Sequence, residues 1–177
     1  MRLVFVPLII LCVLDKRWKT ALGLFIAAGL SDGLDGLAAR LLNQRTVLGQ
    51  YLDPIADKLL LSSLFLVLSI EHKIAWRYTV LVFSRDVCIV LITAILYMVV
   101  NYRQFRPSIY GKINTVAQIA ALFFVLLFQV DNAPWIYWTR RGFLWATMFF
   151  TLLSGIHYAV LTSRQVRQWQ ARVNAAQ

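Results

Sequence analysis

The sequence predicts an all-α, polytopic integral membrane protein with six transmembrane helices. Its 177 residues are 60% hydrophobic, which is more apolar than a water-soluble domain of this size. Apolar runs near the roughly 20 residues needed to cross a bilayer recur along the chain, and one buried core helix cannot account for so many. Charged or turn-rich segments separate the runs, and tryptophans lie near their ends, as at membrane interfaces. We therefore interpret residues 1–177 as a single membrane domain.

Six candidate spans follow one another along the chain. The first is short for a crossing, and the polar segment after the last is expected to be a helix end or a frayed tail. The spans are residues 3–14, 20–42, 55–70, 75–100, 113–130 and 142–162.

The charge balance predicts anionic lipids and phosphorylated molecules as partners. The chain carries 18 Lys and Arg against 8 Asp and Glu, a net charge of +10. The basic residues lie between the apolar runs rather than along one solvated face, so nucleic acid is not expected. Six spans place both termini on one side, and a small excess of basic residues there favours the cytoplasm.

Four aspartates lie where the second and third spans approach each other. Asp32 and Asp35 are three residues apart and share one helix face, and Asp53 and Asp57, four apart, share another. A turn around residues 43–49 would bring the two faces together as a helical hairpin. Four converging carboxylates would repel one another without cations. Hard oxygen ligands suit Mg²⁺ or Mn²⁺, and shared carboxylates suit a two-metal site.

An ordinary structural interpretation pairs these acids with nearby basic side chains, namely Arg40, Arg45 and Lys58. It leaves the neighbouring small residues without a role. Gly33 and Gly36 share the face of the first two aspartates, and bare backbone beside carboxylates leaves room for a flat, phosphate-bearing ligand. Since charged residues inside spans are costly and usually functional, we favour the metal site.

The spacing of these residues resembles a known family signature. From Asp35 the chain reads Asp-Gly-Leu-Ala-Ala-Arg, eight residues, Gly49, three residues, Asp53, three residues and Asp57, with Asp32 as an additional leading acid. This pattern is that of the CDP-alcohol phosphatidyltransferases. The resemblance is strongest over residues 21–70.

The resemblance implies a role for each residue of the motif. Asp32, Asp35 and Asp53 would hold one metal ion, and Asp32, Asp53 and Asp57 the second. Asp57 would also be the general base that takes a proton from the acceptor hydroxyl. The donor nucleotide would be bound by Gly36 and Arg40, with Gly49 giving the chain room to turn.

A second, basic pocket is expected to hold the acceptor. Arg85 lies inside the fourth span, where an unpaired charge is expensive, and Asp86 points roughly 100° away around the helix, so we expect it to be a poor partner. Arg85, Arg106 and Lys112 are therefore the candidates for binding an acceptor phosphate. For Arg106 and Lys112, anchoring a loop to lipid headgroups is an equal alternative.

The resemblance leaves two acceptors open. Ser84-Arg85-Asp86 and Lys112-Ile113-Asn114-Thr115 are similar to the cardiolipin synthases of mitochondrial type, whereas many phosphatidylglycerophosphate synthases carry a lysine where this chain has Asn114. We therefore expect transfer from CDP-diacylglycerol to phosphatidylglycerol, with glycerol 3-phosphate as the alternative acceptor. A cation transporter and an inactive membrane scaffold are the alternatives from other classes.

The resemblance also bears on location and assembly. It implies a multi-pass protein of the bacterial inner membrane, or alternatively the mitochondrial inner membrane, with its site facing the cytoplasm, and a homodimer. Members usually begin the first span with Asn-x-x-Thr-x-x-Arg-x-x-x-x-Pro. Here only Arg2 and Pro7 of that pattern occur, so we expect a truncated amino-terminal start.

Overall fold

Every regular element in the described backbone is an α-helix. The computed structural model describes the backbone of residues 2–41, 47–100 and 109–175, and the side chains of residues 4–31, 33, 58–91, 109, 111–158 and 163. The helices are α1 (Arg2–Leu14), α2 (Trp18–Leu41), α3 (Val47–Ile70), α4 (Trp76–Val100), α5 (Ile109–Val130) and α6 (Pro134–Ala175). Their number and order confirm the predicted all-α class.

Most helices extend beyond the predicted spans, α3 and α6 by the most, because hydropathy locates the apolar part of a helix rather than its ends. Helix α3 begins at Val47, so Gly49 lies in its first turn instead of in the connecting turn. Helix α6 has 42 residues and continues through the polar tail to Ala175. Residues 156–175 contain no glycine or proline and are rich in alanine, glutamine and arginine, which favour helix. Of the two alternatives for this tail, the structure thus shows a helix end rather than a frayed segment.

Similar turns end α1 and α3. Lys16 and His72 adopt left-handed conformations, with φ of 57° and 54°. At the end of α1, the backbone amides of Lys16 and Arg17 donate to the carbonyls of Val13 and Cys12 at 3.0 and 2.8 Å. This pattern satisfies carbonyls that the helix end would leave unpaired, and it reverses the chain toward α2.

Helix α5 lies at the centre of the bundle. It packs against α2, α3 and α6, while α1 packs against α2 and α3, and α4 lies between α3 and α6. The interior between these helices is formed by large apolar side chains with almost no solvent exposure, including Leu64, Phe65, Leu68, Leu122 and Leu126. These side chains belong to one contiguous hydrophobic cluster that joins the helices.

The outer surface is as apolar as the interior. Val80, Phe83, Val116, Phe149 and Ile156, on three different helices, are each more than 40% exposed. In contrast, several polar side chains of α5 and α6 are fully or almost fully buried: Asn114, Gln118, Thr147, Thr151 and Ser154. Soluble proteins rarely expose so much contiguous apolar surface.

One segment, Gly111–Val130 in α5, is long and apolar enough to cross a membrane by length and composition. This finding applies to the described residues alone. Three shorter apolar helical segments accompany it, namely Val4–Leu14, Trp18–Ser31 and Lys58–Ile70. The structure thus supports six helices, of which one passes this test as a full span.

Candidate functional site

The four aspartates lie on two helices. Asp32 and Asp35 belong to the second half of α2, and Asp53 and Asp57 belong to the first half of α3. Spacings of three and four in continuous helix keep each pair on one side of its helix. The described side chains contain no group of three or more metal-binding residues. The four aspartate side chains lie outside that part of the structure, as does the turn at residues 42–46, so their convergence stays a prediction.

The predicted donor-binding residues flank the aspartates. Gly36 and Arg40 lie in the last two turns of α2, and Gly49 lies in the first turn of α3. Their side chains, and the whole of Arg106, lie outside the described residues.

Arg85 is paired, which corrects the sequence interpretation. Its Nη1 donates to Asp86 Oδ1 at 2.6 Å, and its Nη2 donates to Ser154 Oγ at 2.7 Å. The side chains of Arg85 and Asp86 are 10% and 15% exposed. The two Cα–Cβ directions do diverge around α4, but the long arginine side chain bends back along the helix and bridges that angle. Asp86 is therefore the direct partner of Arg85.

This ion pair lies next to the last aspartate of the motif. Lys58 on α3 approaches Asp86 Oδ1 at 3.4 Å, so Asp86 accepts from two helices. Lys58 directly follows Asp57 in the chain. The contact therefore places the backbone of Asp57 about one side-chain length from the Arg85–Asp86 pair. It also gives Lys58 a carboxylate partner outside the aspartate motif.

The first turn of α5 completes the surroundings of Arg85. A Cβ at Gly111 would lie 3.4 Å from Arg85 Nη2, so the guanidinium packs against the bare backbone of α5. Lys112 follows and is exposed. Since successive helix residues point about 100° apart, Lys112 points away from this contact while its backbone stays beside Arg85. The structure thus brings the guanidinium of Arg85 close to the backbone at Gly111, which directly precedes Lys112, a second predicted acceptor-binding residue.

A line of small and polar side chains extends from Arg85 along the α5–α6 contact. We call it the α5–α6 polar seam, and its members are Gly111, Asn114, Gln118, Thr147, Thr151 and Ser154. Thr151 Oγ1 and Asn114 Oδ1 are hydrogen-bonded at 2.9 Å. Among the described residues, Asn114 Nδ2, Gln118 Nε2, Thr147 Oγ1 and Arg85 Nε are buried without a hydrogen-bond partner.

Sequence reasoning missed the α6 side of this seam. The signal was present, because Thr147, Thr151 and Ser154 recur at spacings of four and three in an otherwise apolar segment. That spacing places three hydroxyls on one helix face. Only the packing of α6 against α4 and α5 shows that the face meets Arg85.

A model of the family described as CDP-alcohol phosphatidyltransferase matches residues 1–153. The chain belongs to this family. The match confirms the resemblance identified from the aspartate motif, and it includes the motif, the Arg85–Asp86 pair and the first part of α6, up to Leu153. Members of the CDP-alcohol phosphatidyltransferase family generally depend on a divalent metal ion.

Relatives in the family carry two kinds of name. The chain is 34% identical over 179 residues to human cardiolipin synthase (CMP-forming), covering 89% of this chain and 57% of the relative. It is 35% identical over 140 residues to a CDP-diacylglycerol–glycerol-3-phosphate 3-phosphatidyltransferase of Bacillus subtilis, covering 76% of this chain and 69% of the relative. A protein of the same name from Aquifex aeolicus is 31% identical over 163 residues, covering 90% of this chain and 89% of the relative. The chain thus spans a little over half the length of the human cardiolipin synthase.

Proposed function

We propose that this protein is an integral membrane phosphatidyltransferase that moves the phosphatidyl group of CDP-diacylglycerol to the hydroxyl of phosphatidylglycerol, giving cardiolipin and CMP. The observation that carries the proposal is the complete motif from Asp35 to Asp57, preceded by Asp32, inside the region that matches the family. The name of the human relative, cardiolipin synthase (CMP-forming), supports the reaction.

The distribution of polar and apolar side chains supports a membrane location with six crossings. Large apolar residues are exposed on the outside of the bundle, while hydroxyl and amide groups are buried between α5 and α6. Helices in lipid bury small and polar residues at their contacts and turn apolar side chains outward. Cation–aromatic contacts at the helix ends away from the motif, Lys73 over Trp18 at 5.3 Å and Arg140 over Phe128 at 4.4 Å, suit a membrane interface.

The aspartate motif would hold two divalent cations, Mg²⁺ or Mn²⁺. Four carboxylates at spacings of three and four on α2 and α3 form an all-oxygen donor set, which fits these hard cations. Asp32, Asp35 and Asp53 would form one site, and Asp32, Asp53 and Asp57 the other. Bound there, the metals would neutralise negative charge on the phosphates. Gly36, Arg40 and Gly49 would contact the CDP part of the donor.

The transfer needs one proton acceptor. The acceptor hydroxyl oxygen forms a new bond to the phosphorus that carries diacylglycerol, the bond from that phosphorus to CMP breaks, and the hydroxyl proton leaves. Asp57 would take the proton, and CMP would leave with the electron pair of the broken bond. The reaction needs no covalent enzyme intermediate.

The acceptor phosphate would bind beside Arg85. Two edges of its guanidinium are held by Asp86 and Ser154, and its Nε has no partner among the described residues. The Lys58–Asp86 contact brings the backbone of Asp57 near this guanidinium, so an acceptor bound there can reach the proposed base. Lys112, and Arg106 outside the described residues, would add positive charge.

Glycerol 3-phosphate is the second candidate acceptor. The Bacillus subtilis relative, named for transfer to glycerol 3-phosphate, has the same level of identity to this chain as the human one. Both acceptors have a phosphate near a free hydroxyl, so the arginine alone does not choose between them. We favour phosphatidylglycerol because Asn114, where many glycerol-phosphate enzymes carry a second lysine, adds no charge for a doubly charged phosphate.

The test is reconstitution of the purified protein in phosphatidylcholine nanodiscs with CDP-diacylglycerol, Mg²⁺ or Mn²⁺, and one acceptor at a time. Lipid chromatography should resolve cardiolipin, formed with an equal amount of CMP, and Asp57→Asn is the control. Product from glycerol 3-phosphate alone would establish the second candidate. Absence of CMP release with either acceptor would refute the proposed transferase activity.

Cross-linking in bacterial inner membranes would test whether the protein is a homodimer, as proposed, and whether its site faces the cytoplasm.

A further inference from the structure

The guanidinium of Arg85 is held at two points by different helices. Asp86 on α4 binds Nη1 at 2.6 Å, and Ser154 on α6 binds Nη2 at 2.7 Å. A single contact would let the planar group swing about that contact. Two contacts at different nitrogens fix the plane of the guanidinium and the direction of each remaining N–H group.

Ser154 is placed for this contact by the register of α5 and α6. The two helices run antiparallel, and Asn114 is hydrogen-bonded to Thr151. Gly111 precedes Asn114 by three residues on α5, and Ser154 follows Thr151 by three residues on α6. Both lie next to the same atom, Arg85 Nη2. The glycine and the serine therefore line one slot around Nη2, and Ser154 is completely buried.

Among the described side chains, the one that gives this slot a polar group is Ser154, on α6. At Gly111 there is no side chain, and a Cβ there would already touch Nη2 at 3.4 Å. The hydroxyl of Ser154 is therefore the group that draws Nη2 away from α4. Without it, Nη2 would be a buried donor without a partner, like Nε, and the guanidinium could turn toward Asp86 with both Nη atoms.

We infer that Ser154 is a positioning residue, which orients Arg85 toward the acceptor phosphate without touching the acceptor itself. The inference rests on the proposed function, in which Arg85 binds that phosphate. It extends the acceptor site to the sixth helix, where the sequence motif has no member.

The experiment first compares Ser154→Ala with two other variants, Ser154→Thr and Thr147→Ala, in the nanodisc assay. In Ser154→Ala we expect the KM for the acceptor to rise about three- to eighteen-fold, the range found for hydrogen bonds between membrane helices. The KM for CDP-diacylglycerol should change less than two-fold. Ser154→Thr keeps the hydroxyl and should restore most of the acceptor KM. Thr147→Ala is the matched control, since it removes a buried hydroxyl two turns away that has no hydrogen-bond partner among the described residues.

The decisive comparison is Ser154→Ala in an Arg85→Ala background. If serine acts through arginine, the serine substitution has no further effect on the acceptor KM once the arginine is gone. The same fold-increase in both backgrounds would overturn the inference, as would an unchanged acceptor KM in Ser154→Ala. Either outcome would refute the role of Ser154 but not the proposed function, provided that Arg85→Ala itself raises the acceptor KM. If Arg85→Ala leaves it unchanged, the proposed acceptor site fails, and the inference fails with it.

Discussion

Replacing Arg85 by alanine should affect both the stability of the bundle and the binding of the acceptor. The substitution removes the partner of Asp86, which is only 15% exposed and retains Lys58 at 3.4 Å. Removing one member of a buried ion pair costs about 3–5 kcal/mol. Because Lys58 remains and is 42% exposed, we expect a smaller loss, about 2–3 kcal/mol in the free energy of unfolding.

The double variant Arg85→Ala/Asp86→Ala separates the charge effect from packing. With both charges gone, no unpaired carboxylate is left, so most of the lost stability should return. Unfolding in detergent can be followed by the fluorescence of the six tryptophans. Arg141→Ala is the matched control, because Arg141 is exposed on α6 and its loss should change stability by less than about 0.5 kcal/mol.

The effect on the acceptor follows from the same substitution. A hydrogen bond to a charged group contributes about 1.5–3 kcal/mol, so the KM for the acceptor should rise about 10- to 150-fold. The KM for CDP-diacylglycerol should change little, since the proposed donor site lies on α2 and α3. An equal increase for donor and acceptor would refute the assignment. The electrostatic argument would be refuted if the double variant Arg85→Ala/Asp86→Ala were less stable than the single variant Arg85→Ala.

Three further predictions concern the motif and the seam. Asp57→Asn should abolish turnover in a single-turnover assay while the protein still binds CDP-diacylglycerol in a binding assay. Excess chelator should likewise abolish turnover of the wild type. Full activity in either case would contradict the mechanism. Thr151→Val should cost about 1–3 kcal/mol of stability, because Asn114 Oδ1 loses its donor, whereas Thr147→Val should be nearly neutral in the same unfolding assay. Asn114→Lys should shift the choice of acceptor toward glycerol 3-phosphate. It should also lower the stability, since the ammonium of the lysine would replace a fully buried amide. An unchanged acceptor preference would count against the role of Asn114 in selectivity.

The helix count and the aspartate motif could be predicted because both are local in the chain. A run of apolar residues predicts a helix wherever it lies, and the spacing from Asp32 to Asp57 is visible without knowing how the helices pack. The ends of the helices were harder to predict from the sequence. Helix α6 ends at Ala175 in polar sequence, where hydropathy carries no signal but helix propensity does. Helix α3 begins at Val47, in a segment with Gly49 and Pro54, where neither property predicts the start of a helix.

The partners of Arg85 could not be predicted, for a geometric reason. Sequence spacing gives the direction in which Cβ leaves a helix, so Asp86 was judged to point away from its neighbour. The position of a guanidinium several bonds further on depends on side-chain torsions, and these are set by the neighbouring helices. Sequence alone thus suggested an unpaired arginine, whereas the packed bundle shows a paired one.

The sequence by itself determined the class of protein, its family and the residues of the aspartate motif, because composition, hydropathy and short spacings are properties of the chain. The tertiary structure decided that Arg85 meets Asp86, Ser154 and the backbone of Gly111. These contacts join residues up to 69 positions apart, and they exist only because α6 packs against both α4 and α5. Long-range contacts of this kind depend on packing across helices, which no local pattern in the chain specifies.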